Sequence, residues 1–458
     1  MFFRCVAVVA VASIARRSRW AALLALAGAG CGDAVTLEIA SERPVPAAVD
    51  AICVGVADRS LSGGHFGKLY QLQDTLATLP QTLRLEAGNA DSALAWVRAD
   101  RSGVPTILAT AQVDFGDDVT ITIPKCQLGR GASLATVGNP AGPPGALLAA
   151  SQGQGGIVVL AVATGAANVL AVKDGGLATG DAPPPPPGMP IAVIAADLDG
   201  DCDDDAVIVT NGSAPIVWER DGTEFFAGEA VGSATMSAVA AADVDHDGDT
   251  DLVLGGGGAL QLWLNNGGAS FTQAPQALSA GGRASAISAL ALGDIDNDGH
   301  ADLVVGQAGP PLVAWLGTGG RFEPNDAVLP AVPLDVERMT LADADGDFMP
   351  DLAVAVRGAS MRLYLDRGGT LEDQSFPRLP KPIPTAHAIA FGGWDQGCDP
   401  DGIIAADAGA PTFTGVADKF EAGDPAPPAT DALMTDVDGD GDLDGVISTS
   451  EGARWLAR

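Results

Sequence analysis

Residues 238–255 read AVAAADVDHDGDTDLVLG: a run of small apolar residues, aspartates at 243, 245, 247 and 251, and a second apolar run. Carboxylates crowded at alternate positions repel one another and resist ionisation unless a cation balances them. Gly248, at the sixth place of the acidic stretch, permits a sharp turn. The reading is strand, tight acidic loop, strand, with the loop built to surround something positive.

The same pattern recurs without gaps. IAVIAADLDGDCDDDAVIV starts at Ile191, ALALGDIDNDGHADLVVG at Ala289, ERMTLADADGDFMPDLAVA at Glu337 and DALMTDVDGDGDLDGVIS at Asp431. A decayed copy, AIAFGGWDQGCDPDGIIA from Ala388, keeps only Asp395 and Asp401 of the four acidic positions, and a more degenerate one is read at SLATVGNPAGPPGALLAAS from Ser133. From Asp197 to Asp436 the loop starts lie 43 to 51 residues apart. An aromatic follows each loop at a near-constant distance: Trp218, Trp263, Trp315, Tyr364, Phe413 and Trp455. Glycine turns come next in the middle copies (Asp221-Gly222, Gly267-Gly268, Gly319-Gly320, Gly368-Gly369), then Phe225, Phe271, Phe322 or Leu371.

Each unit is therefore strand, acidic loop, strand, short loop, aromatic strand, glycine turn, strand. Four short strands per 40–50 residues is the mark of a β-propeller blade. No long helical period interrupts it, and β-solenoid repeats are usually shorter. The fold class is all-β: a propeller of seven blades, with six as the alternative, over residues 127–458. The last unit ends at Arg458, three residues after Trp455, and lacks a fourth strand. DDVTITIP, around Asp118 to Pro124, alternates correctly to supply it. The Pro183–Pro187 run belongs to the loop between the first two blades, a stiff polyproline insert.

The loop consensus is D-x-D-x-D-G-x-x-D. Calcium takes six to eight oxygens at about 2.3–2.6 Å, and a tight loop offering alternate carboxylates to one point meets that need. An EF-hand is excluded, because the loop closes on Asp at nine rather than Glu at twelve and is flanked by strands. The pattern resembles the FG-GAP and VCBS repeat families, whose members include the integrin α-subunit propeller. The resemblance covers residues 127–458 and implies calcium at these loops.

Carried over position by position, the resemblance assigns as ligands Asp243, Asp245, Asp247 and Asp251; Asp294, Asp296, Asp298 and Asp302; and Asp436, Asp438, Asp440 and Asp444. It also assigns Asp197, Asp199, Asp201 and Asp205, where Cys202 replaces the glycine, and Asp343, Asp345, Asp347 and Asp351, where Phe348 does. The Gly393 loop is expected to hold no ion. His246 and His300, at variable loop positions, are expected to face solvent. The tryptophans are expected to pack between blades rather than to stack on sugars.

Arg16, Arg17 and Arg19 precede the apolar run Ala21–Gly30, which is too short to span a bilayer, so residues 1–30 read as an export signal. LALAGAGC resembles a bacterial lipobox, with Cys31 as the acylated mature N-terminus, although Gly28 stands where a Leu-like residue is usual. An ordinary signal peptide is the alternative. Gly32 after the cysteine points to the outer membrane. Alternating runs between residues 31 and 126 (VTLEIA, AICVGVAD, LRLEA, TILATAQVDF, VTITI) suggest a small β-sandwich. Cys53 and Cys126 bracket it, and in an oxidising compartment they are expected to pair. Cys202 and Cys398 occupy loop position six in non-neighbouring blades, and both a bridge and two free thiols stay open.

With 25 basic and 58 acidic residues the net charge is −33. Such a surface is repelled by nucleic acid and by anionic lipid, so any membrane contact is through a lipid anchor. The chain has four histidines, two of them inside acidic loops, and no HExxH, G-x-S-x-G or Walker pattern. Two function classes follow: a calcium-binding surface or scaffold module for a protein or glycan ligand, and a propeller enzyme (lyase or hydrolase) with its site in the central channel.

Overall fold

Along the chain, strands of small and β-branched residues alternate with loops rich in glycine and aspartate, and the sheets follow that rhythm. The computed structural model describes residues 9–10, 34–41, 51–58, 66–71, 81–86, 92–101, 104–114, 119–123 and 135–457. Within the last span it leaves out 154–155, 280–285, 393–399, 417–418, 439–442 and single positions at 174, 182, 277, 297, 326, 346 and 348. The architecture is all-β, with one short helix, Ser375–Arg378, among the described residues.

From residue 147 onward the strands form four-stranded antiparallel sheets that resemble propeller blades. Sheet I comprises Leu147–Ser151, Val158–Ala163, Ala166–Lys173 and Gly176–Thr179. Sheet II comprises Met189–Ala196, Asp205–Asn211, Ile216–Asp221 and Glu224–Ala230. Sheet III is Ala238–Ala242, Asp251–Gly256, Ala259–Asn265 and Phe271–Gln273, with Leu278–Ser279 added beside its third strand. Sheet IV is Ile287–Gly293, Asp302–Pro311, Val313–Gly317 and Phe322–Pro324. Sheet V is Pro333–Ala342, Asp351–Val356, Arg362–Asp366 and Leu371–Asp373, and it pairs with sheet IV at Ala308–Asp335 and Pro311–Pro333. Sheet VI is Ala388–Gly392, Asp401–Ala405, Ala410–Val416 and Lys419–Ala426. Sheet VII takes Asp431–Thr435, Asp444–Thr449 and Gly452–Ala457 from the C-terminal end and Ala135–Ala141 from before sheet I.

The last pairing corrects two sequence expectations. The strand that completes the final sheet is Ala135–Ala141, with Val137 opposite Trp455. Val119–Ile123, in the segment expected there, instead runs parallel to Ala34–Ser41 in an N-terminal sheet. The degenerate copy read from Ser133 is thus split: its first half closes sheet VII, and its second half opens sheet I. The loop between the first two strands of sheet I falls at residues 152–157, where the sequence Gln-Gly-Gln-Gly-Gly-Ile has no carboxylate. The Pro183–Pro187 run lies between sheets I and II, as expected.

The cores lie between successive sheets. Leu160, Val193 and Trp218 share one cluster between sheets I and II. Val253, Leu290 and Trp315 share another between III and IV, and Val159, Val446 and Trp455 a third between VII and I. The first strand of each sheet contacts the first strand of the next, and that of sheet VII contacts that of sheet I. Small residues make this approach feasible: Ala238, Ala240 and Ala242 are buried on one such strand. Trp218, Trp315, Tyr364, Phe413 and Trp455 are buried on third strands, as their phasing implied, whereas Trp263 is half-buried.

The N-terminal region forms two four-stranded sheets. One orders Val9–Ala10, Gln81–Glu86, Ala34–Ser41 and Val119–Ile123; the other orders Phe66–Gln71, Ala51–Asp58, Ser92–Arg101 and Val104–Asp114. Leu37, Ile39, Ile121 and Ile123 are buried at alternate positions on the first, and Ile52, Val54, Ala95 and Val97 on the second. Cys31, Cys126 and Cys398, and the side chain of Cys53, lie outside the described residues.

Candidate metal centres

Each acidic loop joins the first strand of a sheet to the second, so the sheet fixes both ends of the loop. Local hydrogen bonds then curl it. Asp197 Oδ2 accepts from the Cys202 N–H at 3.0 Å, Asp243 Oδ2 from Gly248 at 3.1 Å and Asp294 Oδ2 from Gly299 at 3.0 Å. The aspartate at position five folds onto the amide two residues on: Asp201 to Asp203, Asp247 to Asp249, Asp298 to His300 and Asp347 to Met349, at 2.8 to 3.0 Å. These Asx-type turns point the alternate carboxylates to one centre. The turn needs a left-handed residue at position six: Gly248 has φ 99° and Gly299 φ 92°. Cys202 takes φ 69° there, so this loop keeps the conformation that the loss of glycine at position six put in question. Phe348, Asp440 and the loop from Gly393 lie outside the described residues.

In all five loops three carboxylates bring one oxygen each within 4.8 Å of one another: Asp197, Asp199 and Asp201; Asp243, Asp245 and Asp251; Asp294, Asp296 and Asp302; Asp343, Asp345 and Asp347; and Asp436, Asp438 and Asp444. Clusters of this kind could coordinate a divalent ion. The donor set is all oxygen, which suits a hard cation. Asp243 Oδ1, Asp245 Oδ1 and Asp345 Oδ1 are buried without a hydrogen-bond partner. A buried acceptor without a partner is costly, and a cation would satisfy it.

Position nine has a second role that the spacing alone could not reveal. One oxygen of Asp205, Asp251, Asp302 and Asp351 accepts from the loop amide at position two: Leu198, Val244, Ile295 and Ala344, at 2.7 to 3.1 Å. The other oxygen accepts from the end of the third strand, at Arg220, Asn265, Gly317 and Asp366, at 2.7 to 2.8 Å. The residue is a pin between loop and sheet. Asp401 makes the same bond to Gly415 at 2.9 Å in the decayed copy. The pin gives this position a use in a loop where positions one and five are glycine. Asp205 and Asp351 stand outside the triads of their loops, whereas Asp251, Asp302 and Asp444 belong to theirs.

Burial sets the electrostatics. It pushes the Asp205 and Asp351 carboxyls up to about 8, and Asp243, Asp251, Asp302 and Asp444 up to about 7. Neighbouring aspartates add to the rise, and backbone amides oppose it. Asp245 and Asp296 are also raised, by burial and then by adjacent carboxylates.

Neighbouring loops are braced against each other. The glycine turn of sheet III donates from Ala269 N to Leu198 O in the Asp197 loop at 3.0 Å, and that of sheet IV from Gly320 N to Val244 O at 2.8 Å. His246 and His300, expected to face solvent, are half-buried and hydrogen-bonded to one another. Cys202 is fully buried and disulfide-bonded.

Residues 197–254, 243–305 and 294–354 match the FG-GAP-like repeat, each match starting on the first aspartate of a loop. Residues 197–354 are an FG-GAP-like repeat region. The chain is similar to BBS1N in a crystal structure with ARL6DN soaked with mercury: TM-score 0.49, 14% identity, 70% of this chain and 92% of that one. Against the lead-soaked form of that complex the TM-score is 0.47 at 15% identity, covering 71% and 97%. An Agrocybe aegerita lectin, solved for its recognition of non-reducing terminal N-acetylglucosamine, gives a TM-score of 0.43 at 16% identity over 93% and 99%. No curated protein matches the sequence.

Proposed function

We propose that this protein is a calcium-binding β-propeller of seven blades, exported to the bacterial cell envelope, that works as a surface binding or scaffold module for a protein or glycan ligand. The observation that carries the proposal is the fivefold recurrence of a carboxylate triad in the loop between the first two strands of sheets II, III, IV, V and VII, each with its oxygens within 4.8 Å. Five isolated acidic turns have no reason to repeat that geometry. A cation in each loop balances the carboxylates and locks the first two strands of the sheet. The ring of first-strand contacts, with Ala135–Ala141 completing sheet VII, supports a closed seven-membered arrangement. The ions then serve rigidity, and the loops and faces of the ring are free to bind.

The remaining parts of the reading rest on sequence. Cys31 would carry the lipid anchor, residues 31–126 would form a β-sandwich spacer, and a Cys53–Cys126 bridge would brace it. The test of the proposal is calorimetric titration of metal-stripped protein with calcium and with magnesium. Calcium binding at several sites, with dissociation constants near 10⁻⁴–10⁻³ M as in extracellular modules, is the expected result. An absence of calcium uptake would reduce the loops to acidic turns.

A further inference from the structure

Two arginines stand against the triad carboxylates of the Asp343 loop, whereas the buried Arg220 of the Asp197 loop gives its guanidinium hydrogen bonds to Ser151, Gly156 and Gly222. Arg367 places Nη2 3.0 Å from Asp345 Oδ2 and Nη1 3.7 Å from Asp347 Oδ2. Arg378, the last residue of the short helix, places Nη2 3.4 Å from the same Asp345 oxygen. The Asp345 side chain is 8% exposed and that of Arg378 13%. Solvent and salt screen such a contact far less than a surface pair. Two of the three carboxylates in the Asp343 triad thus already face guanidinium groups.

The position of Arg367 explains the contact. It opens the turn Arg367-Gly368-Gly369 after the third strand of sheet V. Asn266 and Thr318 open the equivalent turns of sheets III and IV, and both are neutral. The equivalence is fixed by the preceding residues, Asn265, Gly317 and Asp366, whose amides all bond the position-nine aspartate. Replacing a neutral turn residue with arginine lays a permanent positive charge along the loop's open side. Gly369, in the same turn, sits against Asp296 of the preceding loop, so the turn's position is fixed from both sides.

We infer that Arg367 and Arg378 make the Asp343 loop a guarded metal site, one that takes a divalent ion last and most weakly and must displace Arg367 to do so. A guanidinium shares its charge over a planar fork that matches carboxylate geometry. An incoming ion has to break those bonds and approach a like charge. Asp345 Oδ1, buried and without a partner, is the acceptor left for the ion once Oδ2 has been released. The inference rests on metal binding at the other loops. It gives the protein a graded response: most sites fill at one calcium level, and the guarded one fills only at a higher level.

The test uses the full chain, stripped of metal, with calcium as the probe. Titration of the wild type should resolve one ion at least tenfold weaker than the rest. Arg367→Gln with Arg378→Gln should tighten that ion at least tenfold and leave the total unchanged. Asp345→Asn should remove the weak ion and keep the tight ones. The melting temperature of the double arginine variant should drop more in EDTA than in calcium, since the arginines replace the ion only in its absence. Equal affinity at all sites, unchanged by the arginine substitutions, overturns the inference while leaving the proposed function intact. No calcium bound by any of the proteins overturns the proposed function, and this inference with it.

Discussion

His300 Nδ1 lies 2.6 Å from His246 Nε2, and the two rings meet edge to face with centroids 4.5 Å apart. The residues belong to different acidic loops, so the contact ties the Asp243 loop to the Asp294 loop. A net hydrogen-bond contribution is about 0.5–1.5 kcal/mol. The His246→Ala and His300→Ala variants should therefore be non-additive in a double-mutant cycle by about 1 kcal/mol, read by urea denaturation in calcium. Asp294→Ala with Asp298→Ala should also weaken calcium at the Asp243 loop, not only abolish it at its own. Fully additive histidine variants would mean that the loops act independently.

Asp401 separates the pin from the ligand. Its carboxylate is fully buried and bonded to Gly415, in the loop whose other acidic positions have largely gone. Asp401→Ala should cost about 1.5–3 kcal/mol, the scale for a hydrogen bond to a charged group. It should leave the number of calcium ions unchanged. Equilibrium dialysis beside a denaturation curve checks both, and a lost ion would show that the decayed loop still binds metal.

Acid and chelation should act in opposite directions. Burial lifts Asp205 and Asp351 to about 8 and Asp243, Asp251, Asp302 and Asp444 to about 7, from an ordinary 3.8. In the metal-free protein these groups hold protons that the unfolded chain has already released above pH 4. Their contribution is full below that value and is lost as pH rises through 7 to 8. Calcium needs the ionised form, so it gains hold over the same window. The difference in melting temperature between calcium and EDTA should widen from pH 5 to pH 8. A constant difference would contradict the burial of these carboxylates.

Closure can be tested at Val137, which pairs with Trp455 across the seam of sheet VII. Val137→Pro fixes φ and removes a ladder donor. It should lower the melting temperature by more than the loss of any single calcium loop, because it frees two sheets instead of one loop. A melt shifted by only a degree or two would indicate that the ring does not depend on this strand.

The repeats, their four-strand rhythm and the placement of the aromatics were legible because they obey local spacing, which a sequence displays directly. The closing strand was not. Ala135–Ala141 contains Gly138 at φ 69° and Pro140, both poor strand residues, and they are tolerated because the strand lies at the outer edge of its sheet. Val119–Ile123 has the better strand sequence and is used elsewhere. Position nine was legible as a conspicuous aspartate, but ligand and backbone acceptor share the same spacing. The His246–His300 contact depends on how neighbouring sheets face each other, which no single repeat encodes, and the Arg367–Asp345 contact on how a turn folds back onto the loop of its own sheet.

The seam between Ala135–Ala141 and Gly452–Ala457 also sets an order of events. Ribosomes make the edge strand before sheets I to VI, and its partner, Gly452–Ala457, only after all of them. Throughout that interval its pairing edge has no mate, while sheets I to VI can assemble behind it. Pairing across so long a stretch of chain is slow, since loop closure must precede any reward. Gly138 and Pro140 make this strand a poor template for a stranger's edge. The feature that hides the strand in the sequence thereby protects the nascent chain while it waits to close.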